Sequence, residues 1–451
     1  MIPMSLSAVA RVVDGVVHGD GDVVVTGPAT LDSRAVEGGG LFVALAGEHV
    51  DGHDFVQSAL DGGAVAVLGS RPVEAPTVVV DDVTVALGRL ARHVADEIDA
   101  EVVAITGSQG KTSVKDLVAH LLGRAGPTVA TAGNYNNELG VPITVLRADH
   151  DTRYLVVEMG ARGVGHVARL CGIAPPDVAV VLNVGSAHVG EFGSVDNIAV
   201  AKGEIVEGLQ PDGVAVLNAD DARVAAMAAR VPAGAAVVRF GRTADGPDDV
   251  RLDDVHVDGR GEPDVTLSRA GRRWTTHVPL PGAHQGLNLA AAVAVAAALD
   301  QRVDEQVLSD YRSASAQRLQ RLERSDGVVV LDDSYNANPE SVVAAIETLR
   351  TIDATRRVAV LGEMLELGAE AHLRHVEVGR AAADAGLDLV LAVGQGARGV
   401  AEGAGAQARE VPDVDVALTT LRAWLEPGDV VLVKASRGAR LERVTAGLLD
   451  A

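Results

Sequence analysis

The stretch "VAITGSQGKTSVKD", residues 103 to 116, decides how this chain is read. An apolar run from Val102 to Ile105 feeds a glycine-bounded turn that ends in Gly110-Lys111-Thr112. Beyond it, Val114, Leu117, Val118, Leu121 and Leu122 recur at the spacing of a helix with one buried face. Strand, glycine turn and helix form the grammar of a phosphate-binding loop. Backbone N–H groups in such a turn converge on one spot, and the helix N-terminus adds partial positive charge. Lys111 would meet the β- and γ-phosphates, and the Thr112 hydroxyl would ligate Mg²⁺. Gly107, Ser108, Gln109, Gly110 and Ser113 complete this candidate site. The common spacing G-x-x-x-x-G-K-[ST] asks for glycine at position 105, where Ile105 stands, and the glycine comes at Gly107 instead. A plain turn with a solvated Lys111 is the competing reading, and the flanking strand and helix weigh against it.

The chain has 451 residues, enough for about three domains at roughly 150 residues each. Apolar residues are 47% and charged residues 22%, as in ordinary globular proteins, but only 2% are aromatic, so the cores must be built mainly from Val, Leu and Ala. A formal charge of -23 argues against general nucleic-acid binding, which needs Lys and Arg against phosphates. A phosphorylated substrate would meet an unfavourable average field, so local cations must overcome it. The single cysteine, Cys171, precludes an intrachain disulfide and fits a reducing compartment. The start, Met1 to Leu6, lacks the pattern of a secretory signal. No apolar run approaches the roughly 18 residues that would span a membrane. A cytoplasmic protein without membrane insertion is expected.

Three regions follow. Residues 1–83 mix short strand-like runs with Gly and Asp turns, a small mixed α/β unit. Residues 84–313 open with a helix from about Thr84 to Ile98, whose apolar positions are read as Val85, Leu87, Leu90 and Val94. Strands are then expected at 102–105, 154–158, 178–182 and 214–217, hairpins between 240 and 280, and an Ala-rich helix from Asn288 to Leu299. Residues 314–451 restart a strand–helix rhythm, with buried parallel strands at 328–331, 358–361, 389–393 and 430–433. The expected class is α/β in three domains: an N-terminal unit, a parallel-sheet domain bearing the glycine loop, and a Rossmann-like C-terminal domain.

Ligand-type residues recur in the second region. Glu158 ends the strand of "RYLVVEMG", where parallel sheets place their functional groups. Asn183 and His188 lie just past the next strand, and Lys202 lies on a helix starting near Ser194. Each has an ordinary reading alone, as a cap, a loop histidine or a solvated lysine. Together with the loop, they lie on successive crossovers of one domain.

The order "TGSQGKTS", "EMG", "NVGSAHVGEFGS", "AKGEI" and "GAHQGLN" resembles the Mur ligase family, which builds the peptide of bacterial cell-wall precursors. That family's loop is G-x-x-G-K-[ST], so the late glycine is normal there. The resemblance implies a ligase in which ATP phosphorylates a substrate carboxylate and an amine displaces the phosphate to form an amide. It implies Lys111 on the phosphates, Thr112 and Glu158 at a first Mg²⁺, and His188 at a second. Lys202 matches a family lysine carbamylated by CO₂ into an oxygen ligand. His284 and Asn288 match the adenine-contacting segment. Arg318 and Asp333 match an arginine near the phosphates and an aspartate near the ribose. The family's Gly-Arg is Gln317-Arg318 here, and Arg321 stands one turn away as the rival.

Further segments narrow the branch. "DSRAVEGGGLFVALAGEHVDGHDF" (32–55) resembles the UDP-binding part of the muropeptide ligases, with Ser33 and Arg34 as implied contacts. "GNYNNELGVP" (133–142), "DDSYNANPES" (332–341) and "GEMLELG" (362–368) resemble the family member that adds D-alanyl-D-alanine (D-Ala-D-Ala) to UDP-MurNAc-tripeptide. They offer Asn134, Asn136, Asn137, Tyr335, Asn336 and Asn338 as substrate-side residues. "VKASRG" (433–438) adds Lys434, Ser436 and Arg437. The D-N-P-R motif expected of the diaminopimelate-adding relative is absent. The implied ligands are ATP, two Mg²⁺, UDP-MurNAc-tripeptide and D-Ala-D-Ala, acting on a monomer. Another Mur ligase with a different amine, or a P-loop ATPase acting as a nucleotide switch, are the alternatives.

Overall fold

The computed structural model describes residues 1–47, 50–185 and 189–450. Three sheets organise them. The first has five strands in the order Val16–His18, Thr77–Val79, Ala64–Gly69, Gly40–Val43 and Ala29–Thr30. All its pairings are parallel except the first. A short antiparallel pair, Met4–Ser5 with Val24–Val25, lies apart from it.

The second sheet has nine strands. Third from one edge is Glu101–Thr106, an apolar run buried along nearly its whole length. That strand lies between Tyr154–Glu158 and Val178–Val181, parallel to both. The chain first builds outward on one side, through Thr128–Ala130 and back to Tyr154–Glu158, and then crosses to the other side. Such a reversal opens a crevice at the carboxyl ends of the central strands, where α/β sheets bind ligands. The glycine loop leaves from this point. The polar stretch after residue 240 forms antiparallel strands, Val250–Val257, Pro263–Arg269 and Arg272–His277, that extend the far edge. The third sheet runs Gln320–Glu323, Val329–Asp333, Val430–Lys434, Arg357–Leu361, Leu389–Val393 and Ala408–Val411, parallel except at its first pairing.

The helix Val83–Glu97 shows how the first two sheets are joined. Val83, Ala86, Leu87, Leu90, Ala91 and Val94 are its buried residues. They share one core with Leu41, Val43 and Leu68 of the first sheet and with Leu155, Val157 and Val181 of the second. The expected face needs one correction: Val85 is 50% exposed. Counting from Val83, the inward stripe falls at i, i+3, i+4 and i+7, and residue 85 points away from it. Asp82 caps the helix, its side chain accepting from Thr84 and Val85 N–H. Short strands at Thr128–Ala130, Ala236–Gly241 and Ala408–Val411 had no distinct sequence signal. No described helix is long and apolar enough to cross a membrane.

The glycine-loop helix, Lys111–Gly123, buries Val114, Leu117, Val118, Leu121 and Leu122 as the spacing predicts. They pack against the Ala-rich helix Gln285–Ala298 in one cluster. Leu117 is fully buried, so Leu117→Ala should cost about 2–5 kcal/mol of stability by leaving a cavity under the loop. Urea unfolding checks this. A change below about 1 kcal/mol would mean that the helix is not held by this face.

Candidate active site

The loop is shaped by close approaches that only glycine permits. Gly110 has φ +79°, and a Cβ there would come within 2.9 Å of Asn288 Oδ1. A Cβ on Gly107 would meet Leu182 Cβ at 2.9 Å. Asn183 then clamps the turn. Its Oδ1 accepts from Gln109 N at 2.9 Å, its Nδ2 donates to Gln109 O at 3.2 Å, and its own carbonyl accepts from Ser108 N at 3.1 Å. Ser108 Oγ accepts from Gly185 N at 2.8 Å. The loop backbone is thus held by the neighbouring strand's exit. The sequence offers Asn183 as a ligand-type residue past an apolar strand, and the structure gives it a clamping role within the loop. That position was its one signal.

At the start of the helix, Lys111 Nζ donates to Gly107 O at 2.7 Å. Burial holds this ammonium below its ordinary pKa, against the opposing pull of Glu158. Thr112 Oγ1 donates to Glu158 Oε2 at 2.9 Å, and both side chains are buried. Asn136 Nδ2 donates to the other carboxylate oxygen at 2.8 Å. The Glu158 backbone N–H is taken by Thr131 Oγ1 at 2.9 Å. Ser113 follows on the same first turn, and no hydrogen bond is made by its side chain among the described residues.

Lys202 lies on the helix Val195–Glu207, whose N-cap is Ser194, as expected from the sequence. It is 6% exposed and makes no hydrogen bond or ion pair among the described residues. Burial first, and the nearby Lys111 charge second, push its amine well below the ordinary value. His188 lies outside the described residues.

The third sheet delivers a second group of residues to the same crevice. Arg318 Nη2 donates to Thr112 Oγ1 at 3.3 Å, and its guanidinium lies 4.3 Å from the Tyr335 ring centroid. Arg437 approaches the same ring at 5.6 Å. The rival Arg321 instead pairs with Glu323 at 2.8 Å on the edge strand. Gln317 takes φ +60°, a left-handed conformation, which accounts for the glycine usual at this position in the resembled family. Gln109 Nε2 reaches Asn338 Oδ1 at 3.4 Å. Asn338 also caps the helix Pro339–Thr351 with Ser341.

Three carboxyl strand ends meet here. Asp333 and Lys434 are register partners on adjacent strands, with Lys434 Nζ at 2.5 Å from Asp333 Oδ2 and 3.0 Å from Asn336 O. Ser436 Oγ accepts from Leu365 N at 3.0 Å and donates to Ala337 O at 3.3 Å. The three segments quoted from this region therefore form one wall. His284 precedes the Ala-rich helix within electrostatic reach of Asp333 and Lys434. Asn288, one turn on, donates to Gln285 Oε1 at 2.9 Å.

Some expected residues stand elsewhere or are otherwise engaged. Arg34 forks onto Asp32 at 2.9 and 2.8 Å on an exposed loop of the first sheet, beside a half-buried Ser33, and no hydrogen bond among the described residues joins either to the loop cluster. Asn137 Oδ1 accepts from Leu139 N and Gly140 N at the start of helix Gly140–Val145. Asn134 is exposed.

The donors suit a hard cation. A threonine hydroxyl and one carboxylate oxygen are the ligand types that Mg²⁺ takes, with phosphate and water oxygens completing its shell. Among the described residues there is no cluster of three His, Cys, Asp or Glu that could cage a metal. Two cations, Lys111 and Arg318, face the same spot from different sheets. The arrangement can bind a polyphosphate and neutralise charge on a transferring phosphoryl group.

The sequence matches the Mur ligase middle domain over residues 105–296, the Mur ligase glutamate ligase domain over 317–437, and the Mur ligase family catalytic domain over 29–97. It is 42% identical to the UDP-N-acetylmuramoyl-tripeptide--D-alanyl-D-alanine ligase of Mycobacterium tuberculosis H37Rv, covering 100% of this chain and 98% of that one. The Escherichia coli K12 enzyme of the same name is 37% identical, with 100% and 99% covered. The crystal structure of MurF from Acinetobacter baumannii superposes with a TM-score of 0.88 at 30% identity, covering 100% of this chain and 99% of that one. MurF from Thermotoga maritima in complex with ADP gives 0.81 at 33% identity, with 94% and 98% covered. The matched ranges span the glycine loop, Lys202 and Arg318, and the relatives are covered over the full chain: it belongs to the Mur ligase family.

Proposed function

We propose that this chain is an ATP-dependent ligase that joins D-Ala-D-Ala to UDP-MurNAc-tripeptide, giving UDP-MurNAc-pentapeptide, ADP and phosphate. The observation that carries the reading is the meeting of Arg318, from the third sheet, with the Thr112–Glu158 pair of the second. An arginine beside the loop supplies charge for phosphoryl transfer, which both a ligase and a nucleotide switch can use. Full-length similarity to relatives named for this reaction supports the same reading.

The chemistry runs in two steps. A carboxylate oxygen of the tripeptide attacks the γ-phosphorus of ATP, the bond to the β-phosphate oxygen breaks, and ADP leaves. The amine of D-Ala-D-Ala then attacks the acyl carbon, loses a proton, and expels phosphate as the amide forms. Lys111 and Arg318 hold the phosphoryl group and offset its developing charge. Gly107, Ser108, Gln109, Gly110 and Ser113 line the phosphates, with His284 and Asn288 on the adenine and Asp333 on the ribose. Thr112, Glu158, His188 and Lys202 would hold Mg²⁺, which would draw electron density from the phosphate oxygens. Lys202 serves as a carbamate: a buried amine with no partner among the described residues adds to CO₂, loses a proton and becomes an oxygen ligand. Asn134, Asn136, Asn137, Tyr335, Asn336, Asn338, Lys434, Ser436 and Arg437 face the two substrates, and Ser33 and Arg34 receive the UDP portion. Residues 1–83 form the UDP-muropeptide-binding domain, 84–313 the central ATP-binding domain and 314–451 the Rossmann-like ligase domain. The enzyme works in the cytoplasm as a monomer.

Phosphate release measured with each substrate alone and with both tests the reaction. Turnover requiring ATP, UDP-MurNAc-tripeptide and D-Ala-D-Ala together is expected, and substantial ADP formation without the pair would contradict it. Arg318→Ala should lower kcat about 100-fold, whereas Arg321→Ala should stay within about threefold of the unaltered chain. Equal losses would remove Arg318 from its role. Lys202→Ala should abolish most activity, with partial return in added formate or acetate. A Lys202→Ala enzyme of near-normal turnover would contradict the carbamate.

A further inference from the structure

Two buried charged residues of the glycine-loop helix have no part in this mechanism. Lys115 and Asp116 are 3% and 4% exposed and pair with each other. Asp116 does more than neutralise its neighbour. Its Oδ2 accepts from Ser315 N at 3.1 Å and from Ser313 Oγ at 3.4 Å, while Lys115 Nζ lies 3.5 Å from Ser315 Oγ. Ser313 and Ser315 belong to the segment that leads into the third sheet and carries Arg318.

That segment is laced to a single stripe of the helix. Thr112, Asp116, His120 and Arg124 recur every four residues and so share one face. Arg124 Nη1 donates to Asp310 Oδ1 at 3.0 Å. His120 Nε2 lies 2.9 Å from Val307 O, and its ring meets that of Tyr311 edge-on at 5.2 Å. Asp116 takes Ser313 and Ser315, and Thr112 takes Arg318. The strap from 307 to 318 therefore runs antiparallel to the helix and ends at the phosphate site. Beyond it, Leu319 N donates to Asp333 Oδ1 at 3.3 Å, so the third sheet holds the other end.

Between these two carboxylates the backbone is contorted. Gln317 and Leu319, on either side of Arg318, have φ +60° and +51°. L side chains disfavour this region, and such conformations persist only where surrounding contacts impose them. Asp116 supplies the last contact before Gln317 on the helix side.

We propose that Asp116, fixed by Lys115, is a positioning residue for Arg318: it anchors the strap one helical turn from Thr112, so that the guanidinium is presented to the nucleotide phosphates. The inference rests on Arg318 facing the nucleotide, as proposed above. It predicts that Asp116 acts through Arg318 and not through the fold alone.

The test is a double-mutant cycle read by binding of the non-hydrolysable analogue AMPPNP with Mg²⁺ to the full chain, by titration calorimetry. Asp116→Asn should weaken AMPPNP about tenfold. Because it leaves Lys115 buried without its partner, a second variant, Lys115→Met with Asp116→Leu, removes the pair and the anchor together and keeps an apolar fit. It should weaken binding similarly while its thermal midpoint stays near that of the unaltered chain. In an Arg318→Ala background, both changes should alter affinity less than twofold, and Asp116→Glu should restore most of the loss in the parent background. Undiminished affinity in either Asp116 variant, or the same fold-loss with and without Arg318, would overturn the inference. The readout needs no turnover, so failure of the ligase reading, seen as absent phosphate release by the unaltered chain, is separate from failure of this one.

Discussion

The hydrogen bond between the Thr112 hydroxyl and the Glu158 carboxylate is the contact on which the rest of the site depends. It joins the first turn of the glycine-loop helix to the end of the adjacent parallel strand. Both ends are buried, so each polar group needs its partner, and the geometry is correspondingly narrow. Asn136 and Thr131 fix the carboxylate end. Asn183 fixes the loop end. The pair sits where the strand order reverses, so residues from several crossovers reach it without long loops.

Charge imposes the second constraint. A chain of formal charge -23 repels a nucleoside triphosphate on average. The structure meets this locally, by directing Lys111 and Arg318 at one point. Concentrating cations this way costs stability, because each is drawn out of water and two lie close together. That cost is characteristic of a site shaped for ligand over packing.

Much of this was legible in the sequence. The strand–turn–helix around Lys111 is local and periodic, and Glu158 and Lys202 fall at a strand end and on a helix where such residues serve sites. The third-sheet strands are continuous apolar runs, and they appear as expected. What could not be read has one physical cause: partners far apart in sequence. Nothing near Asp116 announces Ser313 and Ser315, which lie 197 and 199 residues away. The spacing to Asp333 favours Arg318 over Arg321 in the sequence, and the strap's path sends the first to Thr112 and the second to Glu323 on the edge strand. Val85 shows the limit at short range. Its apolar side chain beside a buried stripe suggests a place in the core, but its direction on the helix puts it outside.

The central claim is that the second and third sheets share one phosphate site. The most direct measurement is a crystal structure with AMPPNP, Mg²⁺ and UDP-MurNAc-tripeptide bound. The account predicts γ-phosphate oxygens within hydrogen-bond distance of both Lys111 Nζ and the Arg318 guanidinium. A γ-phosphate held by residues of the second sheet alone, with Arg318 turned to solvent, would contradict it.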